Sequence, residues 1–390
     1  MLALRRLQSH SFKLTRAQST VEATASAASN ALAGDALPAT SIPAKKRRAR
    51  SLRTSRSKIS LENPRQWKRP LAVGVLPVFD EALKYIKADS VKLKEEMKEL
   101  QTSLEAAKQT SEPDVQALKQ MEEKLEILEI NSEINFPEVQ WKCANGMADL
   151  SKPVDRHIIE RRWRKEGPLD LLMERLHQMH IVPDVLAGLH PSLDLRITFP
   201  DHHVKTDARK KYRHVEPGVY LLPEQTVNPP RLYTDVFHTD ERLYTLIMVD
   251  PDVPDVANST YGTFLHWLQP NISLSATTPV PISDINTHTQ YIPPHPQKGT
   301  PYHRYTLLLL RQKTTLDIPP FTAEERLGFS MRDFIENYDL DITAGGAHMW
   351  REVWSAGVSD IFRDVLKLDE PQFGKPPKVD RYAGKNRYML

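Results

Sequence analysis

The sequence LYTLIMVDPDVPD (243–255) decides the fold, together with GTFLHWLQPNI (262–272) and YIPPHPQKGTPYHRYTLLLLRQ (291–312) after it. The runs 243–249 and 305–310 are short, bounded and apolar, which is typical of strands buried on both faces of a sheet. Polar residues begin or end each run, where a rigid sheet can hold strand-end and loop side chains around a common cavity. The sequence therefore predicts buried strands with a binding site at their ends, formed by Asp250, Asp252, His266, His303 and Arg304.

Length and cysteine content limit the class of protein. The 390 residues are enough for one large or two ordinary domains with a sizeable core. Cys143 is the single cysteine, which excludes an intrachain disulfide and a cysteine-based zinc site and favours a reducing compartment. The apolar runs all fall short of the roughly 20 residues that a membrane span needs. We therefore expect no membrane span.

The net charge of +3 hides an asymmetry along the chain. Residues 1–70 carry 15 Lys and Arg against 3 Asp and Glu, whereas the remaining 320 residues carry 38 against 47. A basic arm is thus joined to a mildly acidic body. Such an arm typically binds a polyanion or a membrane surface, or is recognised by an import machinery.

The basic arm has two predicted parts. Residues 1–20 are basic and interleaved with apolar side chains, which predicts a cleaved mitochondrial presequence; a merely disordered basic terminus is the alternative. Residues 21–77 are expected to form a linker and then an extended, disordered arm. Its Lys and Arg alternate with small polar residues, which suits RNA phosphates, while a nuclear-localisation-like or solvated run is the alternative. The predicted RNA contacts are Lys45, Lys46, Arg47, Arg48, Arg50, Arg53, Arg56, Arg65, Trp67, Lys68 and Arg69.

Helical patterns dominate between the arm and the central strands. Residues 78–135 carry apolar side chains at alternating spacings of four and three, which predicts an antiparallel helical hairpin. Residues 136–192 are predicted to form a helical connector. Within it the cluster Arg161–Arg164 either contacts nucleic acid or packs through Trp163 against the body.

Two further helices are predicted after the central strands. The pattern T-x-x-E at Thr322 is a capping box and predicts a helix that ends near Tyr338. Apolar residues over 350–366 predict a last helix, and residues 371–390 form an expected basic, extended tail.

The motifs DPDVP, LHW and KGTPYHRY form a set that is more specific than any one of them. A carboxylate after one strand and two histidines on two others favour anion binding, because imidazole and hydroxyl groups donate hydrogen bonds while the carboxylate fixes a tautomer. A metal site would use the same groups, but no spacing singles it out. Nucleophilic catalysis by His303 and Asp250 lacks an evident Ser or Cys beside either histidine. A purely structural role, in which these groups satisfy one another, is the remaining alternative.

The same motifs, with FSMRDF at 329–334 and Ala344-Gly345 before a tryptophan, resemble the phosphatidylethanolamine-binding protein family. The resemblance covers residues from about 218 to 366. It implies a mainly β fold with flanking α-helices: an antiparallel β-sandwich over 193–370, preceded by the helical hairpin and the disordered basic arm. The pocket that it implies would bind a small anion through Asp250, His266, His303 and Tyr305.

The sequence departs from the family pattern at two pocket positions. His295 and Gln297 replace a small glycine and a proline ahead of KGT, so we expect an altered or vestigial site. With the presequence, arm and hairpin, the resemblance implies a non-catalytic structural component of the mitochondrial large ribosomal subunit. The expected partners are mitochondrial rRNA and other large-subunit proteins, with no DNA, cofactor or metal. The alternative is a free mitochondrial protein of this family that binds an anionic ligand or phospholipid headgroup, or regulates a kinase or protease.

Overall fold

A computed structural model describes residues 59–61, 63–109, 114–200, 212–256, 258–278 and 281–374. The predicted presequence, the linker and the arm contacts from Lys45 to Arg56 lie outside these residues, as does the tail beyond Gly374. In the described part of the chain, no helix combines the length and the hydrophobicity that a membrane span requires.

The predicted helical hairpin is present. Helix α1 spans Pro77–Lys108 and α2 spans Val115–Glu133, and Asp114 caps α2 by accepting hydrogen bonds from two backbone amides of its first turn. Ion pairs such as Lys94–Glu133, at 2.9 Å, link the two helices. Exposed pairs of this kind contribute little, at most about 1 kcal/mol each, so the apolar seam holds the hairpin together.

Four short helices connect the hairpin to the sheets: α3 (Pro137–Ala144), α4 (Pro153–Lys165), α5 (Pro168–Gln178) and α6 (Ile181–Asp184). Three of them begin with proline, whose missing N–H leaves no donor unsatisfied at that position. Helices α5 and α6 bury Leu172, Leu176 and Ile181 in the same core as the central strands. The connector is therefore part of the packed body.

Within the described ranges, eight strands form two sheets. The smaller sheet has the order β2-β1-β4 and the larger has the order β3-β8-β7-β5-β6. Neighbouring strands run antiparallel except β3, a two-residue edge strand that runs parallel to β8. The strands are β1 (Asp194–Pro200), β2 (Tyr212–Val215), β3 (Tyr220–Leu221), β4 (Arg231–Asp235), β5 (Arg242–Asp255), β6 (Thr260–Leu274), β7 (His303–Arg311) and β8 (Asp341–Glu352). The predicted sandwich with flanking helices is confirmed.

The larger sheet is buried on both faces. On β5, Leu246 and Met248 pack with the residues of the smaller sheet, whereas Ile247 and Val249 pack against the helices. Alternate side chains of a strand point to opposite faces, so a strand between two apolar layers needs a continuous apolar run. This arrangement explains the sequences of β5 and β7.

Both helix predictions after the central strands need correction. Glu325 accepts hydrogen bonds at 2.9 Å from the backbone N–H and the hydroxyl of Thr322, which makes one half of a capping box, but within a turn. The helix α7 is Met331–Asn337; it is capped by Ser330 and ends near Tyr338, as predicted. The segment predicted as one helix over 350–366 begins as the end of β8. Its helical part is α8 (Ala356–Asp360), followed by a π-helical turn, Ile361–Leu366. Pairing of β8 with β7 overrides the local helical pattern.

Candidate functional site

The structure brings the four predicted pocket residues together. Asp250 lies on β5, His266 on β6, and His303 and Tyr305 on β7. Strand β5 pairs with both β6 and β7, so side chains from three neighbouring strands meet. His303 begins β7 as expected, whereas Asp250 and His266 lie within β5 and β6 rather than at their ends. The four side chains, together with His295 and Gln297 of the β6–β7 connection, are between 0 and 6% exposed.

Asp250 and His303 form the centre of the site. Nδ1 of His303 lies 2.7 Å from Oδ2 of Asp250, and the backbone N–H of Asp252 donates to Oδ1 at 2.9 Å. Burial by itself would raise the pKa of Asp250, but the adjacent His303 and these hydrogen bonds hold it below its ordinary value. The carboxylate therefore stays ionised and fixes a proton on Nδ1 of His303.

Thr300 completes a chain of hydrogen bonds that the sequence reasoning missed. Its Oγ1 lies 2.9 Å from Nε2 of His303 and 2.7 Å from the backbone oxygen of Gln297. The order Asp250–His303–Thr300 has the connectivity of a hydrolase triad. The Thr300 hydroxyl, however, is held within its own turn by Gln297. The spacing T-x-x-H, with a turn between the two residues, was the available signal.

His266 and His295 fill the interior beside this chain. Nδ1 of His266 lies 2.8 Å from the Ile292 oxygen, and the His266 and His295 ring centroids lie 5.0 Å apart. Burial and the neighbouring His295 lower the pKa of His266 to about 3, and burial also lowers the pKa of His295. Both rings are neutral at physiological pH. Phe264 packs edge-on against both rings.

Residues from the C-terminal part of the chain close the site. Phe362 of the π-helical turn packs edge-on against His295, with centroids 5.4 Å apart. The backbone N–H of Phe373 donates to the Lys298 oxygen at 2.7 Å. The carbonyl oxygen of Phe373 lies so close to Gly299 that a Cβ there would approach it to 1.7 Å. The turn that carries Thr300 is thus covered by the chain's own backbone.

A second buried acid, Glu352, lies next to this interior. It is paired with His303 across β7 and β8 and accepts a hydrogen bond from Nε1 of Trp350 at 2.7 Å. Burial raises its pKa to about 8, against the opposing effect of that hydrogen bond. The sequence reasoning missed Glu352 because it assigned this segment to a helix.

The electrostatics of the interior do not favour an anion. His266 and His295 are neutral, and the Asp250 carboxylate is negative. The buried Arg326 guanidinium is turned to backbone oxygens, to which it donates at His266 and Gln290. Arg304 is engaged elsewhere, since its guanidinium donates to Asp252 at 2.7 and 2.8 Å and to Asp184 at 2.8 Å. Among the described residues, Nε2 of His266 meets no hydrogen-bond partner. Within the described residues, no group of three or more His, Cys, Asp or Glu side chains is arranged to hold a metal ion.

Of the predicted RNA contacts, four lie within the described residues. Arg65 and Lys68 are exposed and Trp67 is half-buried. Arg69 is engaged within the chain, because its guanidinium pairs with the Asp80 carboxylate. In α4, Trp163 is buried against Phe237 with ring centroids 5.6 Å apart, so this helix packs through its tryptophan.

The model of the family described as phosphatidylethanolamine-binding protein matches residues 211–345. The chain belongs to this family. It is 31% identical to the large ribosomal subunit protein mL38 of Schizosaccharomyces pombe, over 66% of this chain and 77% of that protein. It is also 34% identical to the protein FLOWERING LOCUS T of Arabidopsis thaliana, over 42% of this chain and 81% of that protein. A solved phosphatidylethanolamine-binding protein from Plasmodium vivax aligns with 47% of this chain and 97% of its own, with 21% identity and a TM-score of 0.35.

Proposed function

We propose that the chain is a structural, non-catalytic component of the mitochondrial large ribosomal subunit, where it contacts rRNA and neighbouring ribosomal proteins. The observation that carries this proposal is the relationship to mL38, which extends over 66% of the chain, well beyond the 211–345 match to the family model. The mitochondrial, ribosome-associated localisation expected from the sequence agrees with this relationship.

The closed interior supports a structural role. A protein that uses the pocket to bind a ligand needs an open mouth and a group of opposite charge. Here His295 and Phe362 pack together inside the site, and both guanidinium groups near it are engaged. Arg304 is bound to two carboxylates, and the buried Arg326 donates to the backbone oxygens of His266 and Gln290 at 3.1 and 2.9 Å. The Thr300 hydroxyl is likewise held by Gln297, which argues against its use as a nucleophile.

Exposed apolar side chains around the start of α1 support contacts with other proteins. Val73, just before the helix, and Val78 and Tyr85, on it, are 79, 74 and 74% exposed. Large apolar side chains left exposed together in one segment suit a protein–protein interface. The sequence before them is basic, which suits rRNA phosphates.

Sedimentation of a mitochondrial lysate tests the proposal. We expect the chain to co-sediment with the large subunit at low salt, and to stay with that subunit when magnesium is removed and the subunits separate. High salt should release it, because phosphate contacts by Lys and Arg weaken steeply with ionic strength. A free monomer at low salt would contradict the proposal.

The ligand-binding alternative is tested on the full chain, because α5 and α6 belong to the core of the sandwich. Inorganic phosphate and glycerophosphoethanolamine are titrated while tryptophan fluorescence is recorded. We expect no saturable change in the wild type. Saturable binding that is lost in His266→Ala would support the alternative.

A further inference from the structure

The outer face of the smaller sheet combines aromatic and cationic side chains. Strand β1 buries Leu195, Ile197 and Phe199 towards the larger sheet, so its alternate residues face outward, with those paired to them on β2 and β4. The outward residues of the three strands include Arg196, Thr198, Tyr212, His214, Arg231 and Tyr233. We name this surface the outer face.

The centre of the outer face is a stacked pair. The Cζ atom of Arg231 lies 3.7 Å from the centroid of the Tyr212 ring. Tyr212 is paired with Pro200 and Arg231 with Thr198, so the arginine reaches across β1 to the tyrosine. Tyr212 is 38% exposed and Arg231 is exposed, which leaves planar, stackable surface open to solvent.

The positive charge at this pair comes from Arg231, which is exposed. The acidic residues of the face, Asp194 and Asp235, lie at its other end, where the Arg196 guanidinium contacts their carboxylates at 3.3 and 2.6 Å. The Tyr212 end is thus suited to phosphates, and its aromatic ring to a base.

A groove adjoins the same arginine. It has a volume of about 660 Å³ and lies between Pro230 and Arg231 on one side and the segment 281–287 on the other. Pro281 and Ile282 give it apolar walls, and Asn286 supplies an amide. The groove can accept a flat ring, while the Asp284 carboxylate in its lining disfavours a phosphate there.

We propose that the outer face binds a single-stranded or looped RNA segment, with one base stacked on the Tyr212–Arg231 pair and the next directed into the groove. Sheets that present aromatic rings beside cations bind unpaired bases by stacking, without a requirement for sequence. The inference rests on the proposed function, because rRNA is the RNA within reach of a ribosomal component. It adds a contact on the folded body to those predicted in the basic arm.

A matched pair of variants tests the stacking in solution. Full-length Tyr212→Ala and Tyr220→Ala are compared for binding of a labelled oligoadenylate of roughly ten nucleotides, a length within the usual site size of stacking surfaces. Tyr220 is the control because it is also exposed and also stacks on an arginine, with the Arg351 Cζ 4.0 Å from its ring centroid, but it lies on the edge of the other sheet. Elevated salt is used to weaken phosphate contacts by the arm.

We expect Tyr212→Ala to bind roughly tenfold more weakly, the usual effect of one lost base stack, and Tyr220→Ala to bind within about twofold of wild type. Tyr212→Phe should keep the wild-type affinity, since the ring and not the hydroxyl makes the contact. Equal affinities for Tyr212→Ala and Tyr220→Ala would overturn the inference.

Ultraviolet cross-linking in intact mitochondria locates the contact in the assembled particle. We expect a nucleotide adduct on the peptide that carries Tyr212 or on the one that carries Arg231. Co-sedimentation with the large subunit without such an adduct would overturn the inference and leave the proposed function standing. A protein cross-link at these peptides would also overturn it. Failure to co-sediment would contradict the proposed function, and the oligoadenylate comparison would still decide the inference.

Discussion

Replacing Glu352 by Gln tests the closed interior. The Glu352 side chain is fully buried and accepts a hydrogen bond from Trp350 at 2.7 Å. Burial raises its pKa from an ordinary value of 4.5 to about 8. At neutral pH the carboxyl is therefore protonated in the folded protein and ionised in the unfolded chain.

The sign and size of the effect follow from this difference. Between pH 4.5 and about 8 the folded state binds one proton more than the unfolded state at this position. The free energy of unfolding of the wild type therefore falls as the pH rises, by about 1.4 kcal/mol per pH unit from this group. The contribution is fully present below the unfolded pKa and is lost as the pH approaches the folded one. At neutral pH the loss is roughly 3 kcal/mol.

Glutamine keeps an acceptor for Trp350 and does not titrate. We expect the free energy of unfolding of Glu352→Gln, minus that of the wild type, to increase steadily from about pH 5 to about pH 8. Urea unfolding followed by tryptophan fluorescence, at steps of about one pH unit, measures this difference. Glu370→Gln is the control, since Glu370 also accepts from a tryptophan, Trp354, at 2.5 Å but is only partly buried. A Glu352→Gln difference that does not change with pH would refute the reasoning.

Two further substitutions test how the site is held. Gly299→Ala places a Cβ against the Phe373 oxygen, so we expect hydrogen exchange at the Phe373 amide to rise by more than tenfold. Gly328→Ala is the control, because Gly328 has a similar positive φ of 82° but open space around it. This control should lower the free energy of unfolding by only about 1 kcal/mol and leave the Phe373 amide protected. Asp250→Asn replaces the buried carboxylate that accepts hydrogen bonds from His303 and from the Asp252 amide, so we expect the free energy of unfolding to fall by about 1.5–3 kcal/mol in urea unfolding at neutral pH. A loss below about 0.5 kcal/mol would contradict a stabilising role for these hydrogen bonds.

The sequence predicts the central sheet well because its physical signal is local. Leu246 and Ile247 are neighbours that pack into different layers, so the apolar run itself records burial on both faces. The helix predicted to begin at Trp350 is wrong, because Trp350 and Trp354 match a helical spacing although Trp350 belongs to β8. Its strand form depends on pairing with β7, a contact between residues far apart in sequence.

The sequence predicts four residues of the site, but not Thr300, Glu352 or the residues that close it. Asp250, His266 and His303 were identifiable because each lies next to a recognisable strand. Phe362 and Phe373, which cover the site, lie about 60 to 70 residues after His303 in the sequence. No local sequence pattern relates these two residues to the site. The sequence predicts that the bulky His295 side chain narrows or alters the pocket. In the structure its ring packs against Phe264, His266 and Phe362.

The packing that closes the interior opposes the binding of any ligand beside Asp250 and His266. A small anion could reach His266 only if the rings of His295 and Phe362 moved out of their contact. Exposing the Phe362 ring costs about 1.5–3 kcal/mol. That cost lowers an intrinsic affinity by about one to two orders of magnitude. A phosphate group would also meet the Asp250 carboxylate rather than a free cation. Selection for ligand binding would remove such an obstacle, whereas selection for a rigid body that carries contacts on its surface would retain it.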